Sequence, residues 1–84
     1  MALQDDFQAA KEKVGTLPEK PSNDVLLKLY GLFKQGSEGD NNMEQPAMFD
    51  FVKQAKYNAW EGLRGTSKQE AQLQYITFVD SLFA

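Results

Sequence analysis

The stretch Ser22-Asn-Asp-Val-Leu-Leu-Lys-Leu-Tyr30-Gly-Leu-Phe-Lys-Gln-Gly-Ser-Glu-Gly-Asp40 decides the fold. Leu26, Leu29, Tyr30 and Phe33 fall on one face of a 3.6-residue period, and Val25 and Leu32 widen that face. Ser22 or Asn23 reads as the N-cap, because a short polar side chain can accept from the free N–H groups of the first turn. Gly36 and Gly39 read as the end. Such a helix is too apolar for one narrow seam. It either lies between two others, or part of its face covers something else.

The same periodicity recurs on both sides. Leu3, Phe7, Ala10 and Val14 make one apolar stripe, stopped by Gly15 and Pro18. Ser37 to Pro46 has turn formers and no period, and is long for a link inside a bundle. It therefore reads as a crossover and not as a tight hairpin. A third helix is predicted from about Met48 to Leu63, with Met48, Val52, Ala55 and Ala59 as its stripe, Phe51, Trp60 and Leu63 beside it, and Gly65 closing it. Ser67-Lys-Gln-Glu70 is a capping-box pattern that opens a fourth helix. Its stripes are Ala71, Tyr75, Phe78, Leu82 and Ile76, Val79, Phe83. No useful strand-like alternation is present. The expected class is all-α, a four-helix bundle in a single domain over 1–84.

Composition narrows the chemistry. The 84 residues contain no cysteine and no histidine, so disulfides, Cys/His zinc sites and histidine-based nucleophilic triads are excluded. The Glu-x-x-His pairs of a carboxylate-bridged metal site are missing. Asp40, Asn41, Asn42 and Glu44 lack the spacing of a calcium loop. The expectation is no metal. Nine basic against twelve acidic residues give a net charge of -3, which argues against nucleic acid as the main partner. Met1 to Glu12 has no apolar core of a signal peptide, and no apolar run is long enough to span a bilayer. The expectation is a cytoplasmic protein. Asp50 and Glu61 read as solvated charges, as do Lys11, Lys13, Lys20, Lys53 and Lys68. Met48, Tyr57 and Trp60 read as core or packing residues, and Phe7, Leu3 and Ala10 as packing alone.

What stands out is a set of aromatics accompanied by lysines: Tyr30, Phe33 and Lys34, then Lys56, Tyr57 and Trp60, then Tyr75. A phenol and an ammonium both donate to phosphate, and an aromatic face stacks on a purine. That set could hold a nucleotide-like anion.

The stretch Tyr30-Gly-Leu-Phe-Lys-Gln-Gly-Ser-Glu-Gly-Asp40 resembles the second-helix signature of the acyl-coenzyme A binding protein family, Tyr-x-x-Tyr/Phe-Lys-Gln-Ala-x-x-Gly-Asp. Lys53-Gln-Ala-Lys-Tyr-Asn-Ala-Trp60 and Gly65-Thr-Ser67 are similar to the family's following blocks. Phe7, Ala9, Ala10, Val14, Leu17, Pro21, Ala71 and Tyr75 also match, so the resemblance covers nearly the whole chain. It implies an up-down-down-up bundle with a long crossover between helices 2 and 3. It also implies a non-catalytic, monomeric carrier of medium- and long-chain acyl-CoA, which forms an intracellular pool without stable membrane insertion. Acyl-CoA is then the ligand, and no cofactor is implied. By the resemblance, Tyr30, Lys34 and Lys56 meet nucleotide phosphate, Phe33 packs on adenine, and Tyr75 lies at the nucleotide and pantetheine side. Leu26 and Leu27 lie near the acyl path. Gly15 stands where many members carry a basic residue, which leaves only backbone contact there. Tyr57 replaces a tryptophan, Gly36 replaces an alanine, and the chain lacks the lysine-rich tail of many members after Ala84. Two alternatives are a helical protein-interaction module, using the apolar face of helix 2, and a thioesterase-like or transferase enzyme. The absent histidine argues against the second.

Overall fold

The computed structural model describes residues 2–83; Met1 and Ala84, the ends of the expected domain, lie outside them. Four helices follow in order: α1 (Leu3–Val14), α2 (Asn23–Glu38), α3 (Phe51–Glu61) and α4 (Lys68–Ser81). The caps are local chemistry. Ser22 Oγ accepts from the Val25 N–H, Asp50 from the Lys53 N–H, and Ser67 from the Glu70 N–H. Ser22 is thus the N-cap of α2. Asp50, expected to be a solvated charge, starts α3.

Side-chain pairings give the topology. Between α2 and α3, Leu27 shares a groove with Val52, Lys56 lies over Tyr30, and Lys34 lies over Trp60. Numbers rise together, so the two helices run parallel. Between α1 and α4, Gln4 pairs with Gln72, Phe7 with Tyr75 and Lys13 with Asp80, again parallel. Between α2 and α4, Gln72 meets Gly36, Tyr75 meets Phe33 and Phe78 meets Lys28, which is antiparallel. The order is up-down-down-up. Parallel neighbours cannot be joined by a tight turn, so α2 reaches α3 through the crossover from Gly39 to Asp50.

The core consists of Phe7, Ala10, Leu29, Leu32, Tyr75 and Val79, with Trp60 buried beside Lys34. Their burial removes apolar surface from water, at about 25 cal/mol per Å². The wide apolar face of α2 has two uses: it packs between α3 and α4, and Leu26 and Leu27 line a groove against α3.

Two boundary expectations and one burial expectation need correction. Gly36 does not end α2. It is buried inside the helix, and a Cβ there would come within 2.9 Å of Phe7 and 3.1 Å of Gln72. The position is glycine because α1 and α4 close on it, not because the chain turns. The turn falls at Gly39, whose φ of 84° is the left-handed region that glycine adopts without a steric cost. The third helix is shorter than expected, and Met48 lies outside it. Met48 and Val52, half of the expected core stripe, are 83% and 68% exposed, and Phe51 beside it is 78% exposed, whereas Ala55 and Ala59 are half-buried.

Gly31 sets the α2–α3 distance. A Cβ at that position would sit 2.5 Å from the Ala59 carbonyl oxygen, a backbone atom that cannot swing aside. Gly31→Ala should therefore push the two helices apart and destabilise the fold by about 2 kcal/mol. Urea unfolding followed by circular dichroism should show a lowered midpoint.

Candidate functional site

Tyr30, Phe33 and Lys34 come from one turn of α2. Tyr30 and Lys34, four residues apart, share the face toward α3. Lys56 on α3 places its Nζ 5.6 Å from the centre of the Tyr30 ring. Lys34 Nζ lies 4.9 Å from the Trp60 ring, and the same ammonium pairs with Glu38 one turn later. Tyr30, Lys34 and Lys56 are therefore brought together along the α2–α3 seam. Just N-terminal on both helices, Leu26, Leu27, Phe51, Val52 and Ala55 line an apolar groove of about 340 Å³. Lys56 belongs to both parts, since it also lines the groove. The arrangement is amphiphilic, with cations and a phenol at one end and an apolar trough at the other.

Phe33 turns to the other side of α2. Its ring stacks on Phe7 at 5.2 Å with an interplanar angle of 21°, and tilts against Tyr75 at 5.8 Å. Lys11 Nζ, from α1, lies 4.5 Å from the same ring centre. Phe7, expected to serve packing alone, thus supports a candidate site residue. Tyr75 is only 2% exposed and belongs to the core. Burial raises its phenol above the usual 10.0, so it stays a neutral donor. Gly15 is an exposed cap whose N–H meets the Glu12 and Lys13 carbonyls. Its φ of -69° is ordinary helix, so glycine is not required there. The contacts joining Tyr30, Lys34 and Lys56 do not include Gly15.

A polar clasp holds the crossover in place behind these residues. Gln35, fully buried, donates to Asp40 at 2.9 Å and to the Thr66 carbonyl at 2.7 Å. The Gly65 N–H donates to the same Asp40 oxygen at 2.9 Å. Trp60 Nε1 donates to the Gly39 carbonyl at 2.8 Å, and Arg64 donates to the Asn41 carbonyl at 2.6 Å. Arg64 grips Glu61 with two bonds, which lowers the Glu61 pKa and raises that of Arg64. Sequence reasoning missed this clasp. Asp40 looked like a loop acid and Glu61 like a solvated charge, because their partners are remote or on an unremarked arginine. Among the described residues no cluster of His, Cys, Asp or Glu could hold a metal, and no helix is long and apolar enough to cross a membrane.

A wider groove of about 580 Å³ lies between α2 and α4. Gln74, Thr77 and Ser81 add polar groups to its wall, and Lys28 and Glu70 both line it. It suits an apolar chain less well than the narrower groove, and the Glu70 charge opposes a phosphate.

With this geometry in hand, the comparisons agree on one class. The family model described as Acyl CoA binding protein matches residues 4–79. The chain is 46% identical over 78 residues to Acyl-CoA-binding protein 2 of Saccharomyces pastorianus, covering 93% of this chain and 90% of that protein. It is 49% identical over 78 residues to Acyl-CoA-binding protein homolog 1 of Caenorhabditis elegans, covering 93% and 91%. The crystal structure of Oryza sativa Acyl-CoA-Binding Protein 2 superposes with a TM-score of 0.92 at 40% identity, covering 98% of this chain and 91% of that one. Each of these relatives is an acyl-CoA-binding protein by name, and the solved one shares this fold. The chain belongs to the acyl-CoA binding protein family.

Hydrogen bonds from Gly65 and Gln35 hold the Asp40 pKa below its ordinary 3.8. A depressed carboxylate contributes stability that is present above its unfolded pKa and lost as pH falls through its folded one. Asp40→Asn mimics the protonated form. The variant should melt below wild type at pH 7, and the gap should close as pH drops well below 3.8. Thermal melts across that range check both signs.

Proposed function

We propose that this chain is a non-catalytic carrier of medium- to long-chain acyl-CoA, with the nucleotide anchored on α2 and α3 and the acyl chain lying in the adjoining groove. The observation that carries this reading is the position of Lys56. It flanks the Tyr30 ring and also lines the apolar groove, as a ligand with a phosphorylated head and an apolar tail requires.

Each residue has a role in the proposal. Tyr30, Lys34 and Lys56 donate to the ribose 3′-phosphate, whose near-double negative charge suits two ammonium groups and a hydroxyl. Phe33 offers its ring to adenine. Tyr75 supports Phe33 from the core, with its hydroxyl toward the pantetheine side. Leu26 and Leu27 take the first part of the acyl chain, while Gly15 offers backbone contact alone. Each methylene that leaves water contributes about 0.8 kcal/mol before ordering costs. Burial in the groove shields the ester from detergent-like association. The protein acts as one acyl-CoA-binding domain and as a monomer in the cytoplasm, where it keeps a pool for fatty-acid metabolism and inserts no segment into membranes. Neither alternative is favoured. The apolar face of α2 is already used by α3, α4 and the groove, and a thioesterase or transferase has no histidine to work with.

Two outcomes test this. Isothermal titration with palmitoyl-CoA should give one-to-one binding, much tighter than for coenzyme A or palmitate alone. Equal affinity for coenzyme A and its ester would remove the groove from the account. Lys34→Ala and Lys56→Ala should each weaken binding by about tenfold or more, with helical content unchanged. Lys34 is expected to show the smaller loss, because Glu38 already offsets part of its charge.

A further inference from the structure

Lys11 is the one candidate-site cation that comes from α1. Its Nζ lies 4.5 Å from the Phe33 ring centre, while Phe7, one helical turn earlier, stacks on that ring at 5.2 Å. Four other cations are already paired with carboxylates: Lys13 with Asp80, Lys34 with Glu38, Lys53 with Asp50 and Arg64 with Glu61. Lys11 has no carboxylate within ion-pair distance among the described residues, and neither has Lys56. Both rest on aromatic rings instead, Lys11 on Phe33 and Lys56 on Tyr30. Tyr30 and Phe33 are three residues apart on α2, so the two unpaired ammonium groups flank one turn from opposite sides. An anion laid across that turn meets a cation from α1 as well as those from α2 and α3.

We propose that Lys11 is a phosphate-binding residue of the nucleotide site, one that covers Phe33 when the site is empty. This rests on the acyl-CoA reading above. An ammonium–ring contact at an exposed position is weak, and a phosphate is a stronger partner for the same ammonium. When the nucleotide arrives, the base takes the ring face and the ammonium moves to a phosphate. The contact therefore keeps an apolar ring covered without tying up the charge.

The test uses full-length wild type, Lys11→Met and Lys11→Arg, each titrated with palmitoyl-CoA and with palmitoyl-dephospho-CoA at two salt concentrations. Methionine keeps the apolar stem over Phe33 and removes only the charge; arginine keeps the charge. Lys11→Met should bind palmitoyl-CoA about fivefold more weakly, with a shallower salt dependence, and Lys11→Arg should come within about twofold of wild type. A loss that vanishes with the dephospho ester assigns the contact to the 3′-phosphate. A loss that persists assigns it to the diphosphate. If wild type binds and Lys11→Met binds equally or more tightly, Lys11 only shields the ring and the proposal is overturned. If wild type binds neither ester, the carrier reading fails first and this proposal with it.

Discussion

The close approach of α2 and α3 at Gly31 is the contact on which the rest depends. With no Cβ at Gly31, the Ala59 carbonyl can lie against the α2 backbone. One turn either way, that spacing puts Lys56 on Tyr30 and Lys34 on Trp60. One to two turns earlier it leaves a trough between Leu27 and Val52. A wider crossing would separate cations from phenol and open the trough to water. The parallel direction matters as much, because it aligns the polar ends and the apolar ends of both helices. The long crossover and its clasp of Gln35, Asp40, Gly65 and Trp60 hold that direction.

Electrostatics and burial divide the labour. The chain is acidic overall, yet two cations without an ion pair, Lys11 and Lys56, lie on rings of the candidate site. Net charge governs long-range steering, whereas a bound anion responds to the groups within a few ångströms. An acidic protein can therefore hold a polyanionic head group. Its apolar trough is open, so Phe51 and Val52 line it and still remain exposed.

Much of the fold was legible because periodicity and caps are local signals. Four helices, Ser22 and Ser67 as caps and the long crossover all follow from neighbours in sequence. Gly36 misled because a glycine inside a helix reads as its end, while the cause of its smallness, Phe7 and Gln72, lies on other helices. Met48, Phe51 and Val52 misled because apolar residues at helical spacing look alike whether they face a core or a ligand groove. Tyr30, Lys34 and Lys56 could be named from motif blocks, and their convergence needed the parallel register. Lys11 and the Asp40 clasp were illegible because each depends on contacts between distant segments.

The central claim is that acyl-CoA lies along the α2–α3 seam and not in the larger α2–α4 groove. Backbone amide NMR of the protein titrated with palmitoyl-CoA tests it most directly. The account predicts the largest shifts at Leu26 to Lys34 and at Val52 to Lys56, with small ones at Leu73 and Thr77. Dominant shifts at Leu73, Thr77 and Phe78, with Tyr30 and Lys56 unmoved, would contradict it.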